Sequence, residues 1–191
     1  MTKNRMEAFS DGVLAIIITI MVLELHAPAE PTWAALRPEA PTFLSYVLSF
    51  VYVGIYWSNH HHLLHAARTV SGGVLWANLH LLFWLSLIPF VTGWMGRTLF
   101  APLPVAFYGA VLLMAAVAYL VLALLLIRRD GPDSVVARAA GPDRKGVLSI
   151  VCYAAAVPLA FLNPYVSCAL YVVVALLWLI PDRQIETRIH E

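Results

Sequence analysis

Six stretches of this chain, at about 6–25, 42–66, 74–95, 102–127, 146–162 and 164–181, are apolar over the length a lipid bilayer demands. Nothing else in the sequence limits the fold so tightly. A hydrocarbon core takes about 20 apolar residues per helix, and inside it each backbone amide must be satisfied within the segment. The stretches end at "HAPAEP", "RTVSGG", "RRDGPD" and "PDRQ". Only Asn163 and Pro164 separate the fifth from the sixth, which predicts a tight turn, since proline suits the first turn of a helix and would break its interior. Composition agrees: 61% of the 191 residues are hydrophobic and 12% charged, against about 45–50% and about 25% in soluble domains. The expected fold is all-α, a polytopic membrane protein of six transmembrane helices forming a single domain over 1–191.

An even number of spans puts both termini on one side. Lys3, Arg5, Arg68, Arg128, Arg129, Arg138, Arg144, Lys145, Arg183 and Arg188 then share that side, and only Arg37 and Arg97 face the other. Basic residues concentrate in cytoplasmic loops, so both termini are expected in the cytoplasm, with the chain in the cell (plasma) membrane. Trp33, Trp94 and Trp178 sit near segment ends, as interfacial anchors do. The net charge of +1 gives nucleic acid no footing. Cys152 and Cys168 lie within apolar runs and read as small core residues, with no disulfide or metal spacing. The N-terminus does not read as a signal peptide, because Ser10 and Asp11 interrupt its apolar region.

"RMEAFSDGVLAIIITIMVLEL", residues 5–25, begins with charges and ends as hydrocarbon. The apolar run from Val13 to Leu23 carries one hydroxyl, Thr19, and is too short to span alone, so Ser10 and Asp11 must enter the helix. Asn4 with Glu7 resembles a capping box that starts the helix near Arg5. At 3.6 residues per turn, Ile16, Thr19, Ile20 and Leu23 share one stripe, with Gly12 on the same side. Asp11 points about 130° away from the stripe's centre. A carboxylate at that depth should face the bundle and pair. The stripe is suited to helix packing, within the chain or against its own copies.

The second segment carries "YWSNHHHLLHAAR" at 56–68 and the third "NLHLLFWLSLIPF" at 78–90. Trp57, His61 and His65 fall on one helical face. A histidine, the Trp57 indole and Asn78 are the natural partners for Asp11. Three readings stand: a hydrogen-bond network, a proton-sensitive element, or a histidine-based membrane metalloenzyme using His61 and His65. The last lacks a second histidine box; beyond His80 only His190 remains, with His26 on the outer side.

Arg5, Phe9, Ser10 and Asp11, spaced R-x-x-x-F-S-D, resemble the first-span signature of the endolysosomal potassium channel family, transmembrane protein 175, and its bacterial relatives. "YWSNHHHLLH" and "NLHLLFWLSLIPF" resemble that family's second- and third-span motifs. The resemblance implies a homotetramer of six-helix subunits in the bilayer, the first helix of each lining a central pore, with no pore loop; no T-V-G-Y-G filter occurs here. It implies an apolar constriction at Ile16, Ile20 and Leu23, and an ion-preference hydroxyl at Thr19. It makes Arg5, Phe9, Ser10, Asp11, Trp57, His61, Asn78 and Trp84 a structural network. The function it implies is a potassium-permeable channel of modest selectivity, not an enzyme, with potassium as the permeant ion and no cofactor or metal. A proton-permeable channel or proton-coupled carrier is the alternative, with the metalloenzyme behind it.

Overall fold

The first helix, α1 (Lys3–Leu23), starts after an extended Thr2 that makes no side-chain cap bond. The expected capping box does not form: Glu7 turns to another helix, placing its Oε1 3.0 Å from His61 Nδ1. This computed structural model describes residues 2–140 and 144–180, side chains of 138–140 excepted. Arg183, Arg188, His190, the Arg138 side chain and the end of the sixth segment lie outside the described residues.

A loop leads to the short helix α2 (Trp33–Leu36), capped by Thr32, whose hydroxyl oxygen accepts from the Ala35 amide at 3.2 Å. A single 3-10 turn, Arg37–Glu39, passes directly into α3 (Ala40–Ala66). The third apolar segment is not one helix. It divides at Leu87 into α4 (Gly72–Ser86) and α5 (Ile88–Arg97). The cause is Pro89, which has no amide proton for the carbonyl four residues back. The remaining helices are α6 (Pro102–Asp130), α7 (Val135–Ala140), α8 (Arg144–Leu162) and α9 (Pro164–Leu179). The turn between the last two is as tight as the sequence predicts: the Asn163 side-chain oxygen accepts from the Tyr165 amide at 3.0 Å. The described elements are all helical. Among the described residues, five helical stretches are long and apolar enough to cross a membrane, namely α1, α6, α8, Trp33–Ala66 and Gly72–Arg97, and α9 is a shorter apolar helix.

The bundle is built around α6, which packs against α4, α5, α8 and α9, while α3 packs against α5 and α9. Lipid tails are as apolar as leucine, so helices in a membrane associate through close packing and polar contacts rather than hydrophobic exclusion. Both are present. Ala115 and Ala118 of α6 and Ala156 and Ala160 of α8 are fully buried. Tyr52, Tyr108, Tyr153 and Tyr171 form the centre of the core. Tyr52 donates its hydroxyl to the Tyr171 carbonyl at 2.6 Å, and Tyr171 donates to the Val105 carbonyl at 3.1 Å. The second bond needs Gly109, because a methyl group there would overlap the Tyr171 hydroxyl. The Ser49 hydroxyl sits 2.7 Å from Thr92 and 3.1 Å from Tyr108, so a polar cluster joins α3, α5 and α6.

One end of the bundle collects the basic side chains. Lys3 donates to the carbonyls of His65 and Ala67, both at 3.0 Å, closing the end of α3. Arg129 donates to the Thr69 hydroxyl, Asp130 accepts from the Arg68 amide, and Lys145 donates to the Ile180 carbonyl. At the opposite end of α1, Glu24 pairs with Arg97.

Candidate functional site

α1 lies on the outside of the bundle against α3, α4 and α5, and its two faces differ sharply. Met6, Ser10, Leu14, Ile17 and Met21 recur at intervals of four, four, three and four, and all are buried. This is the row a helix lays into a groove. On the other side, Ile16 is 58% exposed, Ile20 45% and Leu23 72%. Thr19 and Gly12 are exposed with them, and nothing lies within 4 Å of where a Gly12 side chain would be. The stripe read from spacing therefore has no partner among the described residues of its own subunit.

Thr19 is not an idle hydroxyl. It donates its proton to the Ala15 carbonyl at 2.9 Å, one turn back in the same helix. With its only proton committed, the oxygen presents lone pairs outward. Such a group can accept from water or approach a cation.

The buried face is held by a one-way chain of hydrogen bonds. The Asn78 side-chain NH2 donates to the Ser10 hydroxyl at 2.9 Å, and Ser10 donates to the Met6 carbonyl at 2.9 Å. The Asn78 side-chain oxygen lies 2.7 Å from His60 Nε2. Because that oxygen can only accept, Nε2 carries the proton. The chain thus runs from α3 through α4 to α1, with His60, Asn78 and Ser10 all buried. His60 Nδ1 has no hydrogen-bond partner among the described residues.

A second set of contacts lies nearer the surface. The Trp57 indole donates to Asp11 at 3.1 Å. Trp57, His61 and His65 stack along α3 at centroid spacings of 6.3 and 6.0 Å, as their shared face predicts, and His61 meets Glu7. Of the candidate partners for Asp11, then, Trp57 takes the position, while Asn78 serves Ser10.

The other residues of the expected network lie elsewhere. Arg5 is exposed and Phe9 is half exposed. Trp84 donates its indole proton to His80 at 2.9 Å within its own helix. The histidine at the centre of the buried chain is His60, and not the expected His61. A signal for it existed: Ser45, Ser49, Tyr52, Tyr56 and His60 form one helical row on α3, and all five are buried. No group of three or more His, Cys, Asp or Glu side chains that could hold a metal occurs among the described residues.

Known proteins resemble this chain in sequence and in fold. A family model described as the endosomal/lysosomal potassium channel TMEM175 matches residues 5–89, the part that carries α1 and the chain from His60 to Ser10. A potassium channel of Chryseobacterium sp. (strain P1-3) is 53% identical over 191 residues, covering 100% of both chains. The endosomal/lysosomal proton channel TMEM175 of Homo sapiens is 36% identical over 96 residues, 44% of this chain and 19% of that one. Among solved structures, a lysosomal potassium-selective channel TMEM175 homolog from Chamaesiphon minutus aligns with a TM-score of 0.81 at 24% identity. That match covers 92% of this chain and 95% of the homolog. The relation to the Chryseobacterium channel runs from end to end, the family model falls on the helices around α1, and the fold is shared: the chain belongs to the TMEM175 family of membrane ion channels.

Proposed function

We propose that four copies of the chain assemble as a homotetramer around four α1 helices, and that the assembly lets potassium leak passively across the cell membrane. The observation that carries this reading is the unpartnered α1 stripe, apolar except for a hydroxyl whose proton is already used. Four Ile16 side chains close a neck that passes ions only when wetted, as hydrophobic constrictions do. Ile20 and Leu23 continue the apolar wall outward. Four Thr19 oxygens offer lone pairs to an ion that has shed part of its water. One ring of hydroxyls replaces less hydration than stacked carbonyl rings do, so selectivity is modest. The whole of 1–191 acts as one channel domain. Lys3, Arg68, Arg129 and Lys145 mark the cytoplasmic end, and with it both termini, by the distribution of positive charge. The name of the Chryseobacterium relative, a potassium channel, supports the choice of ion.

Purified protein in liposomes under a potassium gradient tests the reading. Potassium should move without any energy source. Thr19→Ala should keep the tetramer intact and lower the preference for potassium over sodium about 2–5-fold, since one oxygen ring of four is lost. Bi-ionic reversal potentials measure it, and an unchanged preference would count against the hydroxyl ring. The human relative is named a proton channel, and His61 meets Glu7 at the surface. These favour a second reading, proton permeation. The same liposomes under a pH gradient separate the two, because protons moving without potassium would replace the first reading with the second.

A further inference from the structure

We propose that Arg97 is a positioning residue of the outer mouth: by pairing with Glu24 it draws the α1 carboxylate against α5 and neutralises it beside the conduction axis. The inference rests on the pore reading of α1. Glu24 directly follows Leu23, the most exposed residue of the stripe, so its carboxylate belongs to the last turn of the pore helix. Arg97 Nη1 donates to Glu24 Oε2 at 2.7 Å. The arginine closes α5, and the two residues are 73 positions apart in sequence. A second observation is independent of the charges. The carboxylate lies over Gly93, where a Cβ atom would come within 2.9 Å of Glu24 Oε2 and 3.3 Å of Cδ. A side chain at that position would make the carboxylate shift from where it lies.

The two side chains are 34% and 58% exposed. A pair so open to water adds little to stability. What it does is decide where a charge stands. Four free carboxylates at the rim of a narrow mouth attract cations over about a Debye length, some 8–10 Å at ordinary salt, and raise the local ion concentration. With a guanidinium at 2.7 Å on each, that field is cancelled at close range. The wild-type mouth is therefore close to neutral at this ring, and Arg97→Gln uncovers four acids.

Single-channel recording in planar bilayers tests this, with tetramer elution checked for each variant. In about 20 mM KCl, Arg97→Gln should raise potassium conductance about two-fold or more, and in about 1 M KCl the gain should vanish, because salt screens the exposed acids. Outer Mg2+ at millimolar levels should now reduce the current. Arg97→Lys should behave as wild type, and the double variant Arg97→Gln with Glu24→Gln should return to it. A gain that persists undiminished in 1 M KCl would mean altered packing, and no gain in 20 mM KCl would mean that the carboxylate does not face the ion path; either result overturns the proposal. A wild-type protein that passes no potassium overturns the pore reading and this inference together, whereas a conducting wild type with an inert Arg97→Gln overturns this inference alone.

Discussion

Ile16→Asn should raise potassium flux through liposomes about ten-fold or more and reduce the preference for potassium over sodium. In the proposed tetramer a hydrophobic neck stops ions because water leaves it, and four amides at the same level would keep it wet. The substitution is clean on structural grounds. Ile16 is 58% exposed in the subunit, so the change creates no cavity. The row that docks α1, from Met6 to Met21, is on the opposite side and stays in place. Flux assays with potassium and with sodium, alongside size-exclusion elution as a control for assembly, measure the effect. Flux equal to wild type from an intact assembly would remove Ile16 from the ion path.

Asn78→Ala should be the most damaging single change to α1 docking. Asn78 is fully buried and supplies both ends of a bridge, accepting from His60 and donating to Ser10. Its removal strips the acceptor from the His60 Nε2 proton and the donor from the Ser10 oxygen. Leaving a buried polar group unsatisfied costs about 1–3 kcal/mol, although interhelical bonds in membranes average nearer 0.6. We expect a loss of about 1–3 kcal/mol by the same comparison, read as a lower melting temperature in detergent and a smaller tetramer fraction. Asp11→Ala should cost less, because Asp11 is only partly buried and, among the described residues, holds one bond from Trp57, itself half exposed. An Asp11 variant less stable than the Asn78 variant would reverse this ranking. Thr19→Ala, on the other face, serves as the control that leaves the docking untouched.

The contrast between these variants shows what could be read from residues in order. Hydropathy located six segments and their approximate ends, because the membrane imposes a length on each segment separately. The two faces of α1 were legible for a similar reason: helical phase is a local property, so Thr19 and Ile16 could be grouped without knowing any neighbour. Partner identity is not local. On a helix, three consecutive histidines at 60–62 point in three directions, and only the phase of the buried tyrosines on α3 tells His60 from His61. Asn78 is one of three candidate partners for Asp11 in the sequence, and nothing there says that it meets the adjacent Ser10 instead. The break at Leu87 has its cause in Pro89, but hydropathy runs through that position without a change. The Glu24 and Arg97 pair joins the end of one helix to the end of another and leaves no periodic trace.

The break at Leu87 also has a mechanical meaning. α4 carries Asn78, which grips α1 near its start, and α5 carries Arg97, which grips it just past its end. Had the third segment been one rod, both grips would move together. Pro89 removes a rung of the ladder between them, so α1 is moored to two helices that meet at a break. Ile16 and Thr19 lie on the length between the moorings. The rotation of α1 at Ile16 and Thr19 is therefore set jointly by the two moorings, Asn78 near its start and Arg97 past its end.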